Sequence, residues 1–173
     1  MAHILCYHWE GIRITRLQML TISDEAARGK SRLVALRVAS LTLRLMANWR
    51  QPFKDADSIM ILLAIIVITG EKLTRAKLKP DLQNLARPIS QSELAPCNLN
   101  SIAVATGLNR ETTRRKVNRL VNAGLVVRDG DGSVRLGPGV PQREEPAAII
   151  RSQLETLVRT MNELLRDEVV LSD

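Results

Sequence analysis

Ten consecutive apolar residues, Ile59–Ile68, are closed by Thr69, Gly70 and Glu71. A helix needs about 20 apolar residues to cross a bilayer core of ~30 Å, so ten are too few. The run must therefore be buried within protein. Asp57 reads as the N-cap of a helix extending to about Lys77. A helix that is apolar almost all round belongs at the centre of a core. The whole chain has 173 residues, 45% hydrophobic and 25% charged. Those values fit about one soluble globular domain and exclude a disordered tail, a collagen-like chain or a disulfide scaffold.

Cys6 and Cys97 are far apart and match no zinc or redox spacing, so they read as reduced thiols. In the first twenty residues His3, His8, Glu10, Arg13 and Arg16 interrupt the apolar positions, which is not the pattern of a secretory signal. The expected setting is the cytoplasm, with no membrane partner. Met19 is a second candidate start.

Charge is uneven along the chain, whose net charge is +7. Residues 97–140 hold seven basic and three acidic residues, whereas residues 141–173 hold four basic and seven acidic. A basic block points to a polyanionic partner, and the acidic tail to another task. The aromatic residues are Tyr7, Trp9, Trp49 and Phe53, with none beyond position 53. Proteins that bind RNA or single strands stack bases on aromatic side chains. Their absence favours duplex DNA.

Ser31–Trp49 has helical periodicity through Val34, Val38, Leu41, Leu45 and Trp49. Lys79–Pro96, with three prolines, predicts a mostly extended connection. Leu99–Thr106 predicts a helix stopped by Gly107, and Asn109 caps a second helix running to about Asn122. Leu125–Arg128 and Val134–Leu136 read as strands around a tight Asp129–Ser133 turn. A last helix, Glu145 to about Val169, carries Ile149, Leu154, Leu157, Val158, Met161, Leu164 and Leu165 as an apolar stripe.

Helix, short turn with glycine, helix and hairpin is the order of a DNA-binding helix–turn–helix, whose second helix enters the major groove. Ala103 is small enough for a close helix crossing, and Leu108 plugs the turn. Thr113, Val117, Leu120 and Val121 recur at helical spacing and hold the second helix down. The most specific run is TGLNRETTRRKVNRLVNAGLVVRDGDG, Thr106–Gly132. From Ser101 to Arg135 the chain resembles the winged helix–turn–helix of bacterial transcription regulators, in the broad group containing MarR-like and IclR-like proteins. It departs from that group in a linker of ~20 residues before Leu99, longer than most connections. The resemblance implies a mainly α fold: a three-helix core plus a two-stranded β wing, with flanking N- and C-terminal helices. The expected organisation is a tail at residues 1–30, an N-terminal helix at 31–56, the DNA-binding domain at 57–140 and a C-terminal dimerisation helix at 141–173.

The expected function is sequence-specific binding of duplex DNA in transcription regulation. Helical geometry puts Glu111, Arg115, Asn118, Arg119 and Asn122 on the face opposite Thr113, Val117 and Leu120. Arg115 is the first choice for reading bases, followed by Thr112 and Arg110. Arginine bonds a guanine edge through two hydrogen bonds, and threonine touches a thymine methyl. Arg114, Lys116 and Arg119 are expected on phosphates, with Arg135 and Arg128 from the wing. Ser101 offers a hydroxyl to the backbone, and Asn109 caps the helix at its DNA end. Asp129 and Asp131 are expected to serve turn chemistry.

Two alternatives keep the same fold: a protein–protein module without DNA binding, and a replication or partition DNA-binding protein. No catalytic constellation is visible, so an enzyme is not expected, nor is a cofactor. His3, Cys6 and His8 fall within metal-ligating reach of one another, but spacing this loose is a weak signal, and no metal site is expected. The apolar stripe of the last helix is more than a small domain covers alone, which points to a symmetric homodimer. A small apolar effector between the Ile59–Ile68 helix and the terminal helices is a further expectation, from the all-apolar helix alone.

Overall fold

The computed structural model describes residues 19–50, 55–75, 80–90 and 93–172. Their order is β1 (Leu20–Ile22), α1 (Asp24–Gly29), α2 (Ser31–Asn48), α3 (Ala56–Thr69), α4 (Glu71–Arg75), a 3-10 turn at Pro80–Leu82, α5 (Leu99–Thr106), α6 (Arg110–Asn122), β2 (Val126–Arg128), β3 (Val134–Leu136), α7 (Glu144–Arg166) and β4 (Val170–Ser172). The described chain is mainly helical, with two small antiparallel sheets, β1–β4 and β2–β3. No described helix is long and apolar enough to cross a membrane.

The chain forms two compact units. One contains residues 41–157, and its core is built on the apolar run. Ile59, Ile61, Leu62 and Ile65 of α3 are buried together with Ile102 of α5, Val117 and Leu120 of α6, Val126 of β2 and Val134 of β3. Met46 and Trp49 pack on the same cluster. Burying a side chain of this size removes roughly 1.5–3 kcal/mol of unfavourable hydration. One face of the run therefore builds the core, but Met60, Ile66 and Val67 are exposed, so the helix is not buried all round as its composition suggests.

Local chemistry sets the helix ends. Asp55, not Asp57, caps α3: its Oδ1 accepts from the Ser58 backbone N–H at 2.9 Å. Asp57 falls inside the first turn, where its negative charge also suits the helix dipole. The helix stops at Thr69, whose Oγ1 donates to the Ile65 carbonyl. The expected continuation to Lys77 is broken at Gly70, and α4 follows as a separate short helix; residues 76–79 lie outside the described residues. The connection to α5 is less extended than its prolines suggest, with the Pro80–Leu82 turn and a return by Ala95, whose N–H donates to the Thr69 carbonyl.

The second unit contains residues 19–40 and 158–172 of the described chain. Leu20–Ile22 pairs antiparallel with Val170–Ser172 in the register Leu20↔Ser172 and Ile22↔Val170. Residues 19–30, expected as tail, thus hold a strand and a helix, and Ser23 caps α1 by accepting from the Ala26 N–H. The helix expected to reach Val169 ends at Arg166, and the chain turns into β4. Glu168 makes that turn with φ 57°. Arg37 of α2 donates to Glu163 at 2.7 Å and to Asp167 at 3.3 Å, and Lys30 donates to the Asp167 carbonyl at 2.5 Å.

Candidate nucleic-acid interface

Asn98 and Asn109 start the two helices that matter most here. Each side-chain oxygen accepts from a backbone N–H three residues on: Ser101 for Asn98 at 2.9 Å and Thr112 for Asn109 at 2.8 Å. Between them Gly107 takes φ 71°, a left-handed conformation that glycine adopts without steric cost. Leu108 packs against the core from the turn. The turn fixes how α6 leaves α5, and burial fixes which side of α6 faces inward. Thr113, Val117 and Leu120 are buried, and the Thr113 Oγ1 donates to the Asn109 carbonyl.

The opposite side is exposed. Arg110, Glu111, Arg114, Arg115, Asn118, Arg119 and Asn122 all lie in solvent. Glu111, Arg115, Asn118, Arg119 and Asn122 form one stripe at the helical spacing expected. Arg110, Arg115 and Arg119 enter no ion pair among the described residues. Thr112 is half-buried at the edge of that stripe.

Other expected contacts are placed differently. Arg114 forks onto Glu111 at 2.7 and 3.0 Å. The fork holds the Glu111 carboxyl below the ordinary carboxylate range and raises the Arg114 guanidinium. The Ser101 hydroxyl donates to Asn98 at 3.2 Å. Asn118 accepts from Arg128 at 3.3 Å, which links α6 to β2.

Lys116 is the clearest correction. Expected on a phosphate, it is only 8% exposed. Its Nζ lies 2.5 Å from Asp55 Oδ1 and 3.7 Å from Asp57 Oδ2, so its charge is spent inward. Lys116 precedes Val117 on the inward side of the helix, where the Arg-rich run Arg114–Lys116 gives no hint that its last member turns in. Burial works against the Asp55 anion, but hydrogen bonds from Lys116 and Ser58 outweigh it and hold the carboxyl below its ordinary value.

The hairpin also spends its charges internally. Arg135 donates to both oxygens of Asp129 at 3.0 Å, so the expected phosphate contact is already occupied by a carboxylate. Asp131 accepts from the Ser133 N–H at 2.9 Å and from its hydroxyl at 2.7 Å, which lowers its pKa. Both aspartates thus serve the turn. The Val134 N–H donates to the Cys97 carbonyl at 2.6 Å and ties the hairpin to the segment before α5. Cys97 is fully buried, and desolvation pushes its thiol up to about 11, so it stays protonated and inert at neutral pH. A shallow cavity of about 150 Å³ beside the hairpin is lined by Leu94, Cys97, Asp131 and Ser133 among others. Among the described residues no group of three His, Cys, Asp or Glu side chains is placed to hold a metal ion. His3, Cys6 and His8 lie outside the described residues.

No protein-family model, curated protein or solved structure matches this chain.

Proposed function

We propose that the chain binds duplex DNA through α6, as a winged helix–turn–helix regulator of transcription with β2–β3 as its wing. One observation carries this: α6 is anchored by Thr113, Val117 and Leu120 on one side and presents Arg110, Arg115, Asn118 and Arg119 to solvent on the other. An α-helix fits the major groove, where arginine reads guanine and asparagine reads adenine. The capped N-terminal end of α6, bearing Arg110 and Arg115, is the end that meets base edges in such complexes. Arg119, near the end of the helix, is suited to a phosphate, which adds affinity without sequence information. With Arg135 held by Asp129 and Lys116 by Asp55, base reading and phosphate contact both fall mainly to α6.

The acting unit is proposed to be a homodimer. Ile150, Leu154, Leu157 and Val158 of α7 are between 41% and 56% exposed. They recur at helical spacing, so a second copy of α7 offers them an isologous cover. Two α6 helices would then address half-sites roughly one turn of DNA apart. Regulation would follow from occlusion or recruitment at a promoter.

The test is selection of duplexes from a random pool, followed by titration of the best one at several salt concentrations. A recurrent sequence and a linear fall of log K with log salt support the proposal, since each phosphate contact contributes a slope of about −0.9. Failure to retain any duplex at low salt overturns it and favours a protein–protein role.

A further inference from the structure

A lysine is almost never fully buried unless it is paired. Lys116 is buried, and it is paired with the two carboxylates that begin α3. The nearer carboxylate is itself fixed. Asp55 accepts from the Ser58 N–H at 2.9 Å through Oδ1 and from the Ser58 hydroxyl at 3.0 Å through Oδ2. An anion at a helix N-terminus is also favoured by the helix dipole. Lys116 therefore docks onto a preformed acceptor rather than a mobile one.

The position of the pair matters as much as its chemistry. Lys116 follows Arg115 directly and lies three residues before Arg119 on α6. The apolar contacts of Val117 and Leu120 hold α6 against the core but are non-directional. The contact to a fixed carboxylate adds a second, polar attachment that opposes rotation of α6 about its own axis. Lys116 is buried, but its carboxylate partners are 39% and 42% exposed, and a partly exposed ion pair adds little stability, so stability alone does not account for it.

We propose that Lys116 is a positioning residue for α6: clipped to Asp55 and Asp57, it sets the direction in which Arg115 and Arg119 leave the helix, and so the sequence preference. This rests on the duplex-binding proposal above. Lys116 itself touches no phosphate.

Two variants test it, Lys116→Met and Asp55→Asn. Asparagine caps a helix as well as aspartate does, so Asp55→Asn removes the anion and spares the start of α3. The probes are the duplex selected on the wild type and a scrambled duplex of the same composition, each titrated against salt. A variant that is merely less folded loses both affinities by the same factor and keeps their ratio. The expected result is a fall of about tenfold or more in the selected-to-scrambled ratio for both variants, with the salt slope unchanged. Arg119→Ala is the comparison, and its slope falls by about one. A slope lowered by about one in Lys116→Met identifies a phosphate contact and overturns the proposal. An unchanged ratio in Asp55→Asn overturns it as well, even where Lys116→Met does not fold. If the wild type binds neither duplex, the duplex proposal itself fails; if it binds and the variants match it, only the clip fails.

Discussion

Arg135 and Asp129 meet across the β2–β3 hairpin through two hydrogen bonds of 3.0 Å, from Nε and Nη2 to the two carboxylate oxygens. The guanidinium of β3 is thereby matched to a carboxylate at the start of the turn. Both side chains are about three-quarters buried, at 26% and 23% exposure. The carboxylate offsets the charge of the guanidinium, which weakens its pull on a phosphate although three of its five N–H donors are uncommitted.

Arg135→Ala is accordingly expected to leave the salt slope of duplex binding unchanged. Its effect on stability should stay within about 1 kcal/mol, the usual range for a partly exposed pair. Parallel salt titrations and urea unfolding check both. A slope reduced by about one would place Arg135 on the DNA backbone.

Asp55 gives the fold an acid-sensitive contact. Its folded pKa is lowered from the ordinary 3.8 by Lys116 and Ser58, against the effect of burial. The group therefore adds stability at pH values above 3.8, and that stability is lost as the pH falls through the lower folded value. Wild type should exceed Asp55→Asn in urea midpoint at neutral pH, with the gap closing in acid. A gap that stays constant across the acid range would show that the charge of Asp55 contributes nothing.

Gly107 takes φ 71°, and a Cβ built there meets nothing within 4 Å. The cost of Gly107→Ala is therefore conformational rather than steric, about 1–2 kcal/mol. Thermal unfolding should show a lower midpoint with the same cooperativity. No loss of stability would mean that the turn between α5 and α6 relaxes to another conformation.

Leu154 is the most exposed of the large apolar residues between Ile150 and Leu157 on α7, at 56%. If a second copy covers that stripe, Leu154→Glu places a charge at each side of the dyad. Sedimentation should then show a dimer for the wild type and a monomer for the variant. The same mass for both would move the interface elsewhere or dispense with it.

Much of the region around α6 was legible because its signals are local. The stop at Gly107, the cap at Asn109, the buried spacing of Thr113, Val117 and Leu120, and the Asp-Gly turn each depend on residues a few positions apart. The helices Leu99–Thr106 and Arg110–Asn122 and the strand Val134–Leu136 occur where those signals put them. What escaped depends on distant partners. Leu20–Ile22 is a strand because Val170–Ser172 lies beside it, about 150 residues away, and no local pattern announces such pairing. Lys116 looked like its arginine neighbours because its partner, Asp55, is 61 residues away. Asp55 and Asp57 are equally good caps in isolation, so the sequence alone does not distinguish which of them begins α3. Gly70 ended that helix although the next residues are good helix formers.

The most direct measurement is duplex binding against salt for the wild type and Arg115→Ala, using the selected and the scrambled duplex. Arg115 is exposed on the outward stripe of α6 and shares no ion pair among the described residues. A base-reading arginine contributes about 1–3 kcal/mol of discrimination, so the substitution should lower affinity for the selected duplex by roughly five- to more than a hundredfold and leave the scrambled one nearly unchanged. Equal losses on both duplexes would make Arg115 a backbone contact, and no salt-dependent binding by the wild type would contradict DNA recognition by α6 altogether.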